Sequence, residues 1–115
     1  KKNNLIIFDR YAHDLLIDKV RYGHNLPKKI TKYILNLFPE PNLWVILKAP
    51  IKVIEIRKKE LSKKELIRQM KSYINFAKKK NNSITLDTRK KIKINVSLIV
   101  KKLENIVDQQ KTINN

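Results

Sequence analysis

Apolar residues along the chain form three short runs that are separated by longer stretches with helical spacing. The runs are Leu5–Phe8, Leu43–Leu47 and the weaker Ser83–Leu86. Each has the length of a β-strand, and the first two are apolar without interruption. Continuous rather than alternating apolarity is typical of strands that are covered on both faces, as in a parallel sheet. The pattern therefore predicts three strands of one parallel sheet.

The stretches between these strands carry signals for helices. Pro27 opens a helix that ends before Pro39, and Pro50 opens a second helix that runs to about Leu61. A last helix is predicted from apolar residues at helical spacing, namely Val96, Ile99, Val100, Leu103, Ile106 and Val107. Strands that alternate with helices predict an α/β fold, with a parallel sheet and flanking helices.

The helix that follows Leu61 has the clearest start signal in the chain. Ser62 and Glu65 have the spacing of a capping box, in which each side chain bonds a free backbone amide of the first turn. One stripe of this helix is predicted to be buried, with the residues Leu66, Ile67, Met70, Tyr73, Ile74 and Ala77.

Length and composition limit the class of protein. A chain of 115 residues with one glycine and no Gly/Ser linker predicts a single domain, with a core over about residues 5–107. No apolar run approaches the ~18 residues of a membrane-spanning helix, and Leu5–Phe8 is too short for a secretory signal. The absence of cysteine excludes disulfides and thiolate metal sites. We therefore expect a cytoplasmic protein without a membrane partner.

The net charge of +17 indicates polyanion binding at first sight. However, 22 of the 27 basic residues are lysines, in a chain that is also rich in isoleucine and asparagine. This bias is what AT-rich coding produces, and it favours a solvated lysine surface over a selected nucleic-acid surface. The eight aromatic residues fall mostly on predicted core faces rather than on a stacking platform. Nucleic-acid binding therefore stays an alternative that is not favoured, and the five arginines are the informative cations.

Asp9-Arg10-Tyr11 follows directly on the first predicted strand. Ligands of open parallel sheets bind beyond the carboxyl ends of the strands. An arginine at that place suits an anionic group such as a phosphate, and a neighbouring aspartate can order it, hold a magnesium-bound water or accept a proton. The alternative is a surface ion pair at the end of a strand.

The segment after this motif is unusually polar for a connector. His13 and Asp14 could form a site pair, although a lone histidine is more often structural. With only His13 and His24 in the chain, a zinc site would need carboxylates to complete it and is not favoured. Further along, Arg57 and Arg68 place cations on both sides of a predicted hinge, where they can neutralise a polyphosphate or serve as ordinary solvated helix charge.

Four segments in this order resemble the thymidylate kinase-like P-loop kinases. The segments are LIIFDRYAHDLLIDKVRYG, PEPNLWVILKAP, IEIRKKELSKKELIRQMKSY and ITLD. The closest likeness is to bacterial thymidylate kinase-like proteins with an FDRYxHDLLxD stretch, and it covers about residues 5–107. The resemblance implies Mg²⁺-dependent phosphoryl transfer from ATP to a nucleoside monophosphate or a similar acceptor.

The resemblance also assigns roles on the acceptor side of such a kinase. Asp9 would be the carboxylate near the acceptor phosphate and would hold magnesium through a water, and Arg10 would clamp that phosphate. Tyr11 would line the acceptor pocket. The remaining residues of the subgroup pattern, which are assigned to the substrate, are His13, Asp14 and Arg21.

On the ATP side, Arg57 matches the arginine that ends the helix before the lid. Arg68 would be a cation of the lid, and Asp87 and Thr88 match the turn near the adenine. The family also allows a homodimer of the full-length form.

Two departures from the family pattern matter. Lys48 stands where the family often has aspartate after its fourth strand. The motif GxxxxGK[ST] is absent, and a single glycine cannot make it. The resemblance therefore implies a partial P-loop fold that lacks its first two strands, and a fragment that is inactive by itself. Lys48 and the missing loop also permit a second alternative, a degenerate kinase-like protein that binds partners without turnover. In this family the strand of the missing loop lies between the third and fourth strands, so Leu5–Phe8 would lack its neighbour.

Overall fold

The computed structural model of the chain describes residues 4–23, 26–57, 59 and 61–113. These residues form two compact units, residues 1–40 and residues 41–115. The architecture is mixed α/β, with a small parallel sheet and flanking helices, as the sequence predicts. The single domain with a core over about residues 5–107 stays a prediction.

The described residues of the first unit contain three helices. They are α1 (Asp14–Ile17), α2 (Lys19–Tyr22) and α3 (Lys28–Leu35). The third helix begins after Pro27, as predicted, because proline fixes the backbone dihedral of a helix start and has no N–H to lose. Ile17, Thr31 and Leu35 are buried, and the Thr31 hydroxyl donates to the Pro27 carbonyl at 3.3 Å. The core of this unit is therefore small.

The prediction of a strand at Leu5–Phe8 is wrong for this structure. These residues have no regular secondary structure, and their side chains are 64% to 82% exposed. A strand needs a neighbour for its backbone N–H and C=O groups, and the described residues provide none beside this run. Without a strand partner among the described residues, this apolar run is exposed to solvent.

The second unit is built on two parallel strands, β1 (Trp44–Lys48) and β2 (Ser83–Asp87). Their register runs from Trp44 opposite Ser83 to Lys48 opposite Asp87. Both strands and a parallel sheet were predicted from the apolar runs, and each predicted bound lies within one residue of the observed one. Parallel pairing brings the carboxyl ends of the two strands to the same edge of the sheet.

Two helices connect these strands, α4 (Ile51–Arg57) and α5 (Lys63–Lys78). The Ser62 hydroxyl accepts a hydrogen bond from the Glu65 backbone N–H at 3.3 Å, which confirms the predicted N-cap. The Glu65 carboxylate does not form the second hydrogen bond of a capping box, which would be to the Ser62 backbone N–H. It accepts hydrogen bonds from Arg68 at 2.6 and 2.7 Å instead, because a guanidinium one turn ahead is a stronger donor than an amide.

Helix α5 packs on the sheet through its predicted stripe. Leu66 and Ala77 are buried, and the rest of that stripe is partly buried. The Trp44 ring of β1 meets the Phe76 ring edge-on, with 4.9 Å between the centroids. One polar residue of α5 is also buried, which the spacing of apolar residues does not predict. Gln69 is that residue, and its side-chain amide donates to the Glu65 carboxylate at 3.1 Å.

The last helix, α6 (Ile92–Ile113), packs on β2 and contains no fully buried residue. Its N-terminal part is anchored by the Asn95 amide, which donates to the Asp87 carbonyl at 2.9 Å. Several of the predicted core residues are exposed by about half, namely Val96, Val100 and Val107. Helical periodicity gave the helix correctly, but the described residues do not cover its apolar face.

None of the helices in the described part of the chain combines the length and the apolarity that crossing a membrane requires.

Candidate functional site

The residues that follow Leu5–Phe8 turn sharply into α1. Arg10 has a φ of 72°, the left-handed conformation that glycine tolerates and other residues avoid. Two residues later the chain tightens again, since the Asp14 N–H donates to the Tyr11 carbonyl at 2.9 Å. A strained non-glycine backbone persists when surrounding contacts fix it, and such residues cluster at functional sites. Arg10 is therefore the local feature to be explained.

This conformation gives a stability prediction that reverses the usual order of two substitutions. Arg10→Ala and Arg10→Gly both remove the guanidinium and its ion pairs, but only glycine relieves the left-handed backbone. We expect Arg10→Gly to be more stable than Arg10→Ala by about 1 kcal/mol, measured by urea denaturation. Equal stability, or a more stable alanine variant, would show that φ at this position is negative.

The side chain of Arg10 belongs to a cluster of four charged residues. Its Nη1 atom lies 3.4 Å from Asp14 Oδ2 and 3.8 Å from Asp18 Oδ2. The Asp18 carboxylate also receives Arg21, whose Nε lies 3.3 Å from Oδ2 and whose backbone N–H donates to Oδ1 at 3.4 Å. Two guanidiniums and two carboxylates therefore meet within a few ångströms of one another.

Burial within this cluster is unequal. Asp18 is 2% exposed, whereas the side chains of Arg10 and Arg21 are 36% and 48% exposed. A buried carboxylate is stable only when it is paired with cations and hydrogen-bonded, which the two arginines and the Arg21 amide provide. The negative charges thus lie inside, and the guanidiniums face the solvent.

Sequence reasoning named Arg10, Asp14 and Arg21 but missed Asp18. The signal was present, because Arg10, Asp14, Asp18 and Arg21 follow one another at intervals of four, four and three residues. Such spacing places two carboxylates, with an arginine on each side of the pair, along one face of helical chain. Asp18, three residues before Arg21, could have been identified from this spacing as the acidic partner of that arginine.

Tyr11 holds this segment to the end of the first unit. Its hydroxyl donates to the Pro39 carbonyl at 2.6 Å, and its ring contacts those of Phe8, His13 and Phe38 at centroid distances of 5.3, 6.0 and 6.3 Å. His13 stacks on Tyr11 within this aromatic group. The structure thus gives Tyr11 and His13 packing roles beside the charged cluster. Asp9, the carboxylate that precedes Arg10, is exposed.

A second group of predicted site residues lies at the carboxyl ends of β1 and β2. The Thr88 N–H and hydroxyl both donate to the Lys48 carbonyl, at 2.9 and 3.2 Å. Asp87 accepts from the Arg89 side chain at both carboxylate oxygens, with the shortest distance at 2.5 Å. Asp87 is also opposite Lys48 in the register. The lysine that departs from the family pattern therefore lies beside a carboxylate.

These contacts make the ionisation of Asp87 testable. Hydrogen bonds from the Arg89 guanidinium, and from its backbone N–H, hold the pKa of Asp87 well below its usual range, with a smaller contribution from Lys48. A lowered pKa stabilises the folded state above the unfolded pKa of about 3.9, and this contribution is lost as the pH falls through the folded pKa. We expect ¹³C NMR to show Asp87 still ionised at pH 3, and Arg89→Ala to bring its midpoint close to 3.9. An unchanged midpoint in the variant would contradict the contact.

The two arginines that were predicted near the lid have different surroundings. Arg57 is the last residue of α4 and is exposed. Arg68 is paired with Glu65, and this hydrogen bond holds the pKa of that carboxyl below its usual value. Arg57 is thus the more available cation, and Arg68 would have to leave Glu65 to bind a ligand.

The described residues contain no group of three or more His, Asp or Glu side chains that could hold a metal ion by themselves. In phosphate sites Mg²⁺ needs fewer than three protein ligands, because it keeps several waters and takes one or two carboxylates together with phosphate oxygens. Asp9 is an exposed carboxylate beside the arginine cluster and fits that requirement.

Three comparisons with known proteins identify no relative of this chain. A scan of protein-family models gives no match, and searches of curated proteins and of solved structures also give none.

Proposed function

We propose that these residues form the acceptor-binding and lid portion of a nucleotide kinase-like enzyme, which transfers a phosphoryl group from ATP to a nucleoside monophosphate. The observation that carries the proposal is the cluster around Arg10. Arg10 follows directly on Asp9, has a left-handed backbone and pairs with the buried carboxylate of Asp18. Its guanidinium is partly exposed to solvent, and Arg21 pairs with the same carboxylate. Guanidinium groups bind phosphate through two donors at once.

Within this proposal each predicted site residue of the first unit has a role. Arg10 binds the acceptor phosphate and keeps it in place for transfer, with Arg21 beside it. Asp9 orients the acceptor and holds a magnesium-bound water. Tyr11, His13 and Asp14 fix the segment that carries Arg10, through the aromatic group and the 3.4 Å ion pair. Positioning and charge neutralisation supply most of the catalysis in phosphoryl transfer.

The donor side is assigned to residues of α4, α5 and the end of β2. Arg57 is an exposed cation for ATP phosphates, with Arg68 as a second one once it leaves Glu65. Asp87 and Thr88 form a turn that is fixed to the end of β1, and this turn would border the adenine. Mg²⁺ bound with the phosphates would neutralise their charge. A cytoplasmic enzyme of nucleotide biosynthesis is the corresponding biological role.

One feature of the sheet supports this proposal. Strands β1 and β2 are parallel neighbours, while Leu5–Phe8 has no strand partner among the described residues. A partial P-loop fold that lacks its first two strands would leave this arrangement. The 115 residues contain no GxxxxGK[ST] motif, so transfer requires a phosphate-binding loop in addition to them.

The test is a phosphoryl-transfer assay on a polypeptide that carries both these residues and such a loop. We expect ADP formation that requires Mg²⁺ and a nucleoside monophosphate, and none from the 115 residues alone. ADP formation that is indifferent to the monophosphate would overturn the acceptor assignment, and the absence of any transfer would overturn the proposal.

Nucleic-acid binding is the second candidate, and one observation favours it. Several aromatic side chains that were predicted in the core are exposed, among them Phe8, Tyr33 and Phe38. Exposed aromatic rings on a chain of net charge +17 suit single-stranded nucleic acid. Affinity that differs between nucleic-acid sequences would support this function, whereas a steep fall with salt alone would show only charge.

A further inference from the structure

Asp18 occupies the centre of the charged cluster rather than its edge. It lies between α1 and α2, where its own N–H donates to the Asp14 carbonyl at 2.8 Å. One of its oxygens, Oδ2, is 3.8 Å from Arg10 Nη1 and 3.3 Å from Arg21 Nε. Because both nitrogens approach the same buried oxygen, the two guanidiniums are held as neighbours.

Both arginines keep donors for a ligand. Arg10 contacts the carboxylates through Nη1, and Arg21 contacts Asp18 through Nε. Within the described part of the chain, the Nη atoms of Arg21 make no hydrogen bond, and its side chain is half-exposed. Two guanidiniums with outward donors, on one internal carboxylate, form a surface that can receive a doubly charged anion.

We propose that Asp18 is a positioning residue that joins Arg10 and Arg21 into a single clamp for a phosphate monoester dianion. The inference rests on the proposed function, which assigns Arg10 to the acceptor phosphate. Two guanidiniums match two negative charges, so the clamp favours a terminal phosphate over a singly charged phosphodiester. Asp18 itself does not touch the ligand.

The sign of one substitution separates positioning from plain electrostatics. Asp18→Asn removes a negative charge beside two arginines, so Coulomb attraction alone would strengthen anion binding. If Asp18 positions the guanidiniums, the same substitution weakens anion binding, because the arginines separate. A loss of anion affinity in Asp18→Asn would therefore show that Asp18 acts by positioning the two guanidiniums.

The probe is inorganic phosphate, added to the ¹⁵N-labelled 115-residue chain at constant ionic strength. The chain has five arginines, so each Nε–Hε signal can be followed separately by NMR. We expect Arg10 and Arg21 to shift together with one dissociation constant. Arg68 and Arg89 should stay unmoved, because each already donates both Nε and Nη2 to a carboxylate. Dimethyl phosphate, a monoanion, should bind about tenfold more weakly.

Asp18→Asn should lower the phosphate affinity at Arg10 and Arg21 about tenfold, the loss expected for one charge-assisted hydrogen bond. Asp14→Asn is the matched control, because Asp14 contacts Arg10 but no contact joins it to Arg21 in the described residues, and it should leave the Arg21 shift within about twofold. If Asp18→Asn fails to fold, Asp18→Glu replaces it. That variant keeps the charge but moves the carboxylate, and it should also weaken binding.

The failures are distinguishable. Unchanged or tighter phosphate binding in a folded Asp18 variant overturns the positioning role and leaves the proposed function in place. Arg10 and Arg21 signals that ignore phosphate in the unaltered chain overturn both. Independent dissociation constants for the two arginines overturn the single clamp.

Discussion

Replacing Arg10 by alanine should lower kcat/KM for phosphoryl transfer roughly 30- to 1,000-fold, which corresponds to about 2–4 kcal/mol of transition-state stabilisation. The acceptor KM should rise as well, because in the proposed site the guanidinium contacts the phosphate already in the ground state. The measurement is steady-state kinetics in a polypeptide that joins these residues to a phosphate-binding loop.

Two further variants make the result specific to Arg10. Arg10→Lys keeps the charge but loses the planar pair of donors, and we expect most of the loss to remain. Lys111→Ala removes an exposed cation of α6 far along the sequence and should leave kcat/KM unchanged. If the lysine and alanine variants of Arg10 kept full activity, Arg10 would not belong to the site.

Replacing Leu86 by alanine should lower the free energy of unfolding of the chain by about 2–5 kcal/mol. Leu86 lies in the middle of the second unit and is 2% exposed, so its removal leaves a cavity that the neighbouring helices cannot fill at once. Domains have a total stability of about 5–15 kcal/mol, and this loss is a large part of it. Urea denaturation followed by circular dichroism measures the effect.

The structure offers a matched control on the neighbouring strand. Leu47 is directly opposite Leu86 in the parallel register, but it is 66% exposed. Leu47→Ala should change the stability by no more than about 0.5 kcal/mol. Similar losses for both leucines would contradict the difference in their burial.

Local signals were enough to predict much of the second unit. The apolar runs gave β1 and β2, and Ser62 gave the start of α5, because strand apolarity and N-capping are determined by neighbouring residues. Leu5–Phe8 has the same local signal and is not a strand. Pairing depends on a second strand, which no property of the run itself reveals.

The candidate site was predictable in its residue types but not in its geometry. Arg10, Asp14 and Arg21 follow from the resemblance. The positive φ of Arg10 could not be predicted, because glycine is the residue type that indicates such a conformation in a sequence. Asp18 was missed because a carboxylate among exposed lysines and arginines is usually solvated. Asp18 is 2% exposed at the junction of α1 and α2, and spacing along the chain does not predict that burial.

The interpretation as a nucleotide kinase depends on Arg10 binding a nucleotide through its phosphate. The most direct measurement is an NMR titration of the arginine Nε–Hε signals of the 115-residue chain with thymidine monophosphate, compared with thymidine. We predict that the Arg10 signal moves with the monophosphate and not with the nucleoside, while Arg68 and Arg89 stay fixed. A parallel movement of all five arginines, or no movement of Arg10, would contradict the proposed site.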